Sequence, residues 1–146
     1  MKAVIQRVTN ALVTIAGKEI SEIGKGFLIL LGVTHSDTEA IAEKLAHKIV
    51  KLRIMADETD KMNLNLHDSG GEILVVSQFT LYADTSKGNR PSFIKAADPK
   101  QAEQLYDYFV VTLRKTGLTV KTGIFGALMQ VSLTNDGPVT IILEEN

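Results

Sequence analysis

The sequence predicts an α+β fold: a single domain over residues 1–146, with a mainly antiparallel, barrel-like β-sheet and two amphipathic helices. Three observations lead to this prediction. Short β-rich segments separated by turn residues fill most of the chain, two segments repeat apolar residues at helical spacing, and no linker, repeat or low-complexity run divides the chain. With 146 residues, of which 45% are apolar, one core is expected to bury ~70% of the surface that the unfolded chain exposes.

The first elements predicted are the strands of a small antiparallel meander. Lys2–Val8 and Ala11–Ile15 are β-rich, and a turn at Gly17–Lys18 leads into a further extended piece that ends at Gly24. Phe27–Val33 is continuously apolar, which is typical of a strand buried on both faces. We expect it to be the central strand.

The next element is an amphipathic helix from about Asp37 to Arg53. Ser36 and Glu39 form a capping-box pattern at its start. Its apolar stripe recurs at helical spacing, as Ile41, Leu45, Ile49 and Leu52. The pattern indicates a structural helix that packs on the sheet.

Ala56–Gly71 is polar and rich in turn-forming residues. The carboxylates of Asp57, Glu58 and Asp60 raise the question of a cation site, but their spacing matches no EF-hand loop. A solvated loop is therefore expected. Glu72–Ser77 follows as the second strand predicted to be buried on both faces.

Ala83–Phe93 is predicted to be a flexible loop on the surface. It carries two cations, Lys87 and Arg90, on either side of Gly88 and Asn89. The spacing of a phosphate-binding Walker loop is absent, so a basic surface loop remains.

A second helix begins where Asp98 provides an N-cap and Pro99 occupies the first helical position. It is expected to end at Gly117. Its buried stripe consists of Ala102, Leu105, Phe109 and Leu113.

The last third of the chain is rich in strands: Thr119–Ile124, Ala127–Leu133 and Val139–Leu143. The residues between the last two, Asn135–Thr140, favour tight turns, so they predict a hairpin. Pro138 is unusual there because proline cannot donate to a sheet ladder. From local chemistry alone, the Gly-Pro pair is either a structural turn or a functional feature.

Residue counts exclude several kinds of chemistry. The absence of cysteine excludes disulfides, a thiol nucleophile and cysteine-ligated metal. The three histidines, His35, His47 and His67, belong to no metal-binding pattern. Ser77 and Thr80 lie at the end of a buried strand but have no G-x-S-x-G elbow and no evident base, so a triad hydrolase is not predicted. No metal and no cofactor are expected.

Charge and hydropathy limit the cellular context. The segment Met1–Arg7 lacks the apolar core of a signal peptide, and no run approaches membrane-spanning length, so a cytoplasmic protein with no membrane partner is expected. The net charge is -1, from 16 basic and 17 acidic residues, and this balance provides no general attraction for nucleic acid. Any RNA partner must be held by a local patch.

Two motifs together suggest a family. Ser77-Gln78-Phe79-Thr80-Leu81 and Asn135-Asp136-Gly137-Pro138-Val139-Thr140 resemble the paired signature of the D-aminoacyl-tRNA deacylases, also called D-tyrosyl-tRNA deacylases. The resemblance continues in Met1–Val8, Lys87–Phe93 and Thr122–Met129, so it covers effectively the whole chain. Neither signature motif departs from the family pattern.

The resemblance implies a homodimer that hydrolyses the ester bond between a D-amino acid and tRNA, as chiral proofreading in translation. In such enzymes Ser77, Gln78, Phe79 and Thr80 would line the pocket around the terminal adenosine and the scissile ester. An aminoacyl ester is already activated and has a neighbouring ribose hydroxyl, so positioning and backbone oxyanion donors fit better than nucleophilic attack by Thr80. Activity on glycyl-tRNA is left open.

The family also assigns roles outside that pocket. It holds the Gly-Pro pair in cis and inserts it from one subunit into the active site of the other, which makes Gly137 and Pro138 the filter that rejects L-aminoacyl-tRNA. Arg7 would brace this motif, with a surface ion pair as its alternative role, and Met129 would be a pocket wall. Lys87 and Arg90 are predicted to contact tRNA phosphates because they share a loop near the pocket.

Two other functions stay open at this point. One is a non-catalytic RNA-binding module that recognises an acceptor end. The other is an editing domain that removes a mischarged L-amino acid, although such a domain is normally attached to a synthetase.

Overall fold

A mixed six-stranded sheet is the centre of the structure, a computed structural model that describes all 146 residues from Met1 to Asn146. In chain order the elements are β1 (Lys2–Ile15), β2 (Lys18–Ile23), β3 (Gly26–Gly32), α1 (Glu39–Val50), β4 (Met55–Ala56), β5 (Met62–Leu64), α2 (Leu66–Ser69), β6 (Glu72–Ser77), a 3₁₀ helix (Phe79–Tyr82), α3 (Pro99–Arg114), β7 (Val120–Thr122) and β8 (Gln130–Glu144).

Strand β1 organises the sheet. It is antiparallel to β2, β3 and β8, whereas β3 with β6 and β6 with β7 are parallel pairs. The first half of β1 pairs with β3 and the second half with β2, while its other edge pairs with β8 along nearly its whole length. The sheet therefore curls towards a barrel. The predicted α+β class with a barrel-like sheet is confirmed. The sequence did not predict the two parallel pairings.

The central strands are buried as predicted. Phe27, Ile29 and Leu31 of β3 belong to the main core under α1 and α3, and Leu28 faces a smaller cluster on the opposite side of the sheet. Strand β6 divides in the same way, with Val75 in the main core and its neighbours in the smaller cluster. Alternate residues of a strand point to opposite faces, so a wholly apolar strand is the expected result of covering both faces.

The N-terminal meander contains one long strand where two were predicted. Lys2–Val8 and Ala11–Ile15 are parts of β1, joined through an irregularity at Thr9, which is followed by the paired Asn10. Both residues are exposed. A bulge inserts an extra residue and bends a strand without ending it, which explains why the polar pair looked like a break.

The start of α1 corrects the predicted capping box. The N-cap is Thr38, whose hydroxyl accepts a hydrogen bond from the Ile41 amide, so Ser36 lies outside the helix and Glu39 occupies its first position. A capping box needs its acidic residue at the third position. Buried Asp37 instead accepts hydrogen bonds from the Thr34 amide and from the amino group of Met1.

The second predicted helix is α3. As expected, Asp98 caps it by accepting from the amides of Lys100 and Gln101, and Pro99 is its first residue. The helix ends at Arg114, three residues before Gly117, whose φ of +86° suits a turn out of a helix.

The polar segment Ala56–Gly71 is more ordered than the predicted solvated loop. It contains the β4–β5 pair and the short helix α2. The Asp57 carboxylate accepts hydrogen bonds from Asn63, Thr59 and Lys61, and these bonds hold the pKa of Asp57 well below its usual value. The carboxylate thus organises a turn.

The predicted hairpin at Asn135–Thr140 is wrong. Strand β8 runs through this stretch, and both of its halves are antiparallel to β1. Asn135 pairs with Val8 and Thr140 with Gln6, so residues 136–139 stand opposite Arg7 alone. The stretch is a wide bulge within one strand. The predicted strand Ala127–Leu133 also begins later, at Gln130.

No helix in this chain combines the length and the apolar character that crossing a bilayer requires.

Candidate active site

A cavity of about 610 Å³ opens at the end of β6. Ser77 and Gln78 enter it from that strand end, Phe79 from the start of the 3₁₀ helix, and Met129 from the residue before β8. Twelve of its sixteen lining residues are hydrophobic, and none of the sixteen is titratable. The cavity has the size and apolar character of a small-molecule site, and no lining side chain is a histidine or carboxylate that could act as a base.

Four of the predicted site residues meet in this cavity, and Thr80 does not line it. Thr80 is exposed beside it, and its hydroxyl accepts a hydrogen bond from the side-chain amide of Gln78. The Thr80 hydroxyl thus accepts from Gln78, and no base lies next to it. Such a hydroxyl is a poor nucleophile.

The 3₁₀ helix that carries Phe79 and Thr80 packs directly on β3. A Cβ atom on Gly32 would lie 3.1 Å from Cβ of Leu81 and 3.2 Å from the backbone oxygen of Gln78. The backbone amide of Gln78 donates to the backbone oxygen of Leu31, which ties the end of β6 to β3. A larger residue at position 32 would require the site segment to move by a few tenths of an ångström, which glycine avoids.

This helix begins beside the cavity. The first amides of any helix, here those of Phe79 and Thr80, have no acceptor within the helix. Amides of this kind are suitable donors to a developing oxyanion.

An aromatic pair stands at the mouth of the cavity. The rings of Phe79 and Phe93 lie 5.0 Å apart in an edge-to-face arrangement, and Phe79 is 54% exposed. Leu128, at 93% exposed, is another apolar residue of this rim. Sequence reasoning assigned no role to Phe93 or Leu128. The available signal was that both fall inside segments that carry the family resemblance.

Gly137 and Pro138 lie away from the apolar cavity. Both are exposed at the bulge of β8, their peptide bond is cis, and neither lines the cavity. Gly137 is six residue steps along β8 from Val131, which does line the cavity. At ~3.3 Å per residue this is roughly 20 Å along the strand. Within one chain, the motif and the cavity are therefore far apart.

Arg7 is buried beneath the bulge, where it combines bracing hydrogen bonds with an ion pair to the partly exposed Asp136 carboxylate. Its Nε donates to the backbone oxygen of Asp136 at 2.9 Å, and its Nη1 to the oxygen of Ile54 at 2.8 Å. Nε also lies 3.3 Å from the Asp136 carboxylate.

The neck of the bulge is closed by Asn135. Its side-chain oxygen accepts from the Val139 amide at 2.7 Å, and its side-chain nitrogen donates to Oε1 of Gln6 at 2.8 Å. Sequence reasoning placed Asn135 in the motif without a role of its own. A side-chain amide that satisfies backbone groups in an irregular stretch is a common use of asparagine.

Lys87 and Arg90 line a second, smaller cavity of about 260 Å³ and do not reach the first. Asp84 and Ser92 exchange two backbone hydrogen bonds, which close the base of this loop. The side-chain and backbone hydrogen bonds of Ser86, followed by those of Lys95, lower the pKa of Asp84 to about 2, so this carboxylate is ionised.

No group of three or more His, Cys, Asp or Glu side chains is placed to hold a metal ion. The expected independence of metals stays a prediction.

Comparison with known proteins identifies the family. The family model described as D-Tyr-tRNA(Tyr) deacylase matches residues 4–144. The chain belongs to this deacylase family. A D-aminoacyl-tRNA deacylase of Bacillus licheniformis is 56% identical over 99% of this chain and 98% of its own length, and one of Thermomicrobium roseum is 58% identical over 99% and 94%. The predicted family is thus confirmed, and with it the prediction that this deacylase is an enzyme of the hydrolase class.

Solved structures agree with the fold of the deacylase. The structure of a protein named c-Myc DNA Unwinding Element Binding Protein is 49% identical, with a TM-score of 0.93 over 99% of this chain and 98% of that chain. The structure of a probable eukaryotic D-amino acid tRNA deacylase has a TM-score of 0.84 over 97% of both chains. At 15% identity, the second likeness shows the fold alone.

Proposed function

We propose that this deacylase hydrolyses the ester bond of D-aminoacyl-tRNA and releases a free D-amino acid and tRNA. The observation that carries the proposal is the apolar cavity at the end of β6, which holds Ser77, Gln78 and Phe79 of the family signature. Water adds to the ester carbonyl, and the bond to the terminal ribose oxygen then breaks. Charged tRNA is present in the cytoplasm, where we expect the enzyme to act.

Catalysis by positioning fits this cavity. It contains no titratable side chain, so no lining residue is available as a general base. The neighbouring ribose hydroxyl of the substrate is left to assist proton transfer. The amides of Phe79 and Thr80 are the proposed oxyanion donors, and removing one such donor typically costs roughly 3–4 kcal/mol of transition-state stabilisation.

The side chains of the signature motif then have different proposed roles in binding the substrate. Phe79 and Met129 are walls for the terminal adenosine and the aminoacyl group, and Ser77 and Gln78 are polar groups beside the ester. Thr80 acts by holding the Gln78 side chain through their hydrogen bond. On this basis Thr80→Val should weaken catalysis through Gln78, without the complete loss that removal of a nucleophile causes.

A homodimer completes the site. Gly137 and Pro138 lie roughly 20 Å along β8 from the cavity of their own chain, and on this proposal a second subunit brings its own pair to the pocket. The outer edge of β8 pairs with no strand of the chain, and Ile142 on this strand is 67% exposed. Exposed edges and apolar side chains favour association, and a C2 dimer would form two composite sites.

The chirality filter is proposed to act by exclusion. Gly137 and Pro138, held by Arg7 and Asn135, would crowd the direction that an L side chain takes from the α-carbon. Rejecting the wrong partner requires no contact with the D side chain. Broad activity on D-amino acids follows. Hydrolysis of glycyl-tRNA belongs to the same proposal, because glycine has no side chain to exclude.

Deacylation of matched D-aminoacyl-, L-aminoacyl- and glycyl-tRNA under single-turnover conditions tests the function. We expect release of the D-amino acid and of glycine, with the L-ester preserved. Binding without release would favour the RNA-binding module, and faster release of the L-amino acid would favour an L-specific editing domain. DNA binding, which the name of one structural relative mentions, has no support in the balanced charge of this chain.

Subunit mixing tests the composite site. A Gln78→Ala chain lacks a pocket group, and a Gly137→Val chain lacks the filter while keeping its pocket. A mixed dimer holds one site that combines an intact pocket with an intact filter, so mixing should restore D-specific deacylation that neither parent shows. Mixing two preparations of Gln78→Ala is the control. A strictly monomeric protein that deacylates at full rate would contradict the proposed dimer.

A further inference from the structure

The second cavity is a cationic pocket that the proposed chemistry does not use. Lys87, Arg90 and Lys95 line it together with the carboxylate of Asp84. Asp84 Oδ2 lies 3.2 Å from Nζ of Lys95, whereas Lys87 and Arg90 have no acidic partner in the chain. Three cations and one carboxylate give the pocket a local charge of about +2, although the chain as a whole carries -1. The pocket suits an anion.

The walls of this pocket are anchored to the body of the protein. The paired backbones of Asp84 and Ser92 close the loop that carries Lys87 and Arg90. The segment that carries Lys95 is tied to the end of β3, because Thr34 donates to the Lys95 oxygen and a His35 ring nitrogen lies 2.7 Å from the Ile94 oxygen. The loop predicted to be flexible therefore has a fixed base.

The two cavities share one stretch of backbone. Phe93, Ala96 and Ala97 line the apolar cavity, while the residues between and beside them line the cationic pocket. These are Ser92, Ile94 and Lys95. An RNA strand with its terminal nucleoside in the apolar cavity would hence have its preceding phosphates close to this pocket.

We propose that the pocket of Lys87, Arg90 and Lys95 binds a backbone phosphate of the single-stranded 3′ end of tRNA, and that Asp84 lowers its affinity by holding Lys95. The inference rests on the proposed function, which supplies the RNA. It adds Lys95 as a phosphate ligand and gives Asp84 a role in tuning release. A site that must free its product after hydrolysis benefits from a phosphate contact of limited strength.

Binding of a short single-stranded RNA with the tRNA acceptor-end sequence, measured over a series of salt concentrations, tests the pocket. Lys95→Ala should weaken binding roughly two- to fivefold, the range for one exposed charge pair. Its salt slope should fall by about 0.7, the value for one phosphate contact on a single strand. Lys87→Ala with Arg90→Ala should lower affinity and slope further. Lys18→Ala, an exposed lysine at the β1–β2 turn, is the control and should change neither.

Asp84→Asn tests the tuning role. Asparagine keeps the side-chain oxygen that accepts from the Ser86 amide but removes the charge that holds Lys95. RNA binding should therefore tighten by a similar two- to fivefold factor. Weaker binding by Asp84→Asn, with the loop still folded, would overturn the tuning role.

A single neutral methylphosphonate, placed in turn at each of the last phosphates of the RNA, identifies the contact. If the pocket holds that phosphate, neutralising it weakens binding to the wild type but has little further effect on the Lys87, Arg90 and Lys95 triple alanine variant. Equal losses in both proteins at every position would overturn the phosphate site. Inorganic phosphate that binds the pocket without competing with RNA would also overturn it.

The two proposals fail separately. The phosphate pocket would be contradicted if the triple variant bound RNA with an unchanged salt slope. The enzymatic function would stand if the wild type still deacylated D-aminoacyl-tRNA. Salt-dependent RNA binding through these residues without any deacylation would instead contradict the proposed enzymatic function.

Discussion

Arg7 on β1 holds the backbone of Asp136 on β8 with a hydrogen bond of 2.9 Å from Nε to the carbonyl oxygen. The same guanidinium donates to the oxygen of Ile54, after α1, at 2.8 Å. The bulge carries Gly137 and Pro138. One buried side chain on β1 thus ties this bulge to the segment after α1. The forked geometry of arginine makes this possible, because it donates in two directions at once.

Arg7→Lys should reduce chiral discrimination. A lysine keeps the positive charge but has a single ammonium group, so it cannot reach both carbonyl oxygens. Leaving one of them buried and unpaired should also cost about 1–3 kcal/mol of folding stability. The readout is the ratio of D- to L-aminoacyl-tRNA deacylation in the folded protein. Arg53→Lys, which changes an exposed arginine, is the matched control. An unchanged ratio in folded Arg7→Lys would show that Arg7 has no part in the proposed filter.

Gly137→Ala should impair the proposed chirality filter while most of the fold persists. A Cβ atom at this position would lie 2.7 Å from Cγ2 of Val139 and 3.1 Å from Nη2 of Arg7, and the backbone φ is +136°. The bulge must shift to admit the methyl group, so both D-deacylation and the D-to-L ratio should fall. Gly117→Ala also places alanine at a positive φ, but its Cβ would meet no atom within 4 Å, so discrimination should be unaffected. Full discrimination by folded Gly137→Ala protein would show that the Gly-Pro pair is a structural bulge only.

Gly32→Ala should lower the catalytic rate more than substrate affinity. The added Cβ would press on the Gln78 oxygen and on Leu81 at 3.2 and 3.1 Å, which displaces the segment that carries the proposed oxyanion donors. A misplacement of about 1 Å can cost roughly a hundredfold in rate, so a shift of a few tenths of an ångström should cost less than that. Gly24→Ala, whose Cβ would have only an ordinary contact of 3.7 Å with Glu72, is the control. A rise in KM with an unchanged kcat would contradict the positioning role of Gly32.

Glu145 should contribute to a loss of stability in acid. Hydrogen bonds from Lys44 and then Lys48 hold the pKa of Glu145 below its ordinary value of 4.5. Because the folded-state pKa is the lower one, this stabilisation is present above pH 4.5 and is lost as the pH falls through the folded-state value. Urea unfolding at a series of pH values should show a shallower acid dependence for Glu145→Gln than for the wild type. Glu58→Gln, in an exposed turn, serves as the control, and identical pH profiles would refute the assignment.

Deacylation should survive thorough chelation. The chain has no cysteine, and its His, Asp and Glu side chains form no group that could hold a metal ion. The comparison is the single-turnover rate before and after chelator treatment and gel filtration, at an ionic strength that keeps tRNA folded. Loss of activity that one particular divalent ion restores would show that a metal takes part.

Local sequence patterns determined much of this protein. The continuous apolar runs of β3 and β6 indicated two strands covered on both faces, because strands of this length that are buried on both faces read as continuous apolar runs. Asp98-Pro99 set the start of α3 because its capping chemistry is local. The two signature motifs led to the family, and four of the predicted site residues do line one cavity.

Tertiary structure decided what the local chemistry left open. Asn135–Thr140 permits a turn or a bulge, and β8 is continuous because β1 offers hydrogen bonds to both of its halves. The burial of Arg7, the position of Thr80 outside the cavity and the contact between Phe79 and Phe93 likewise depend on residues distant in sequence. Local sequence limits which conformations a segment can adopt. The partner strand, whose backbone groups must also be satisfied, selects among them.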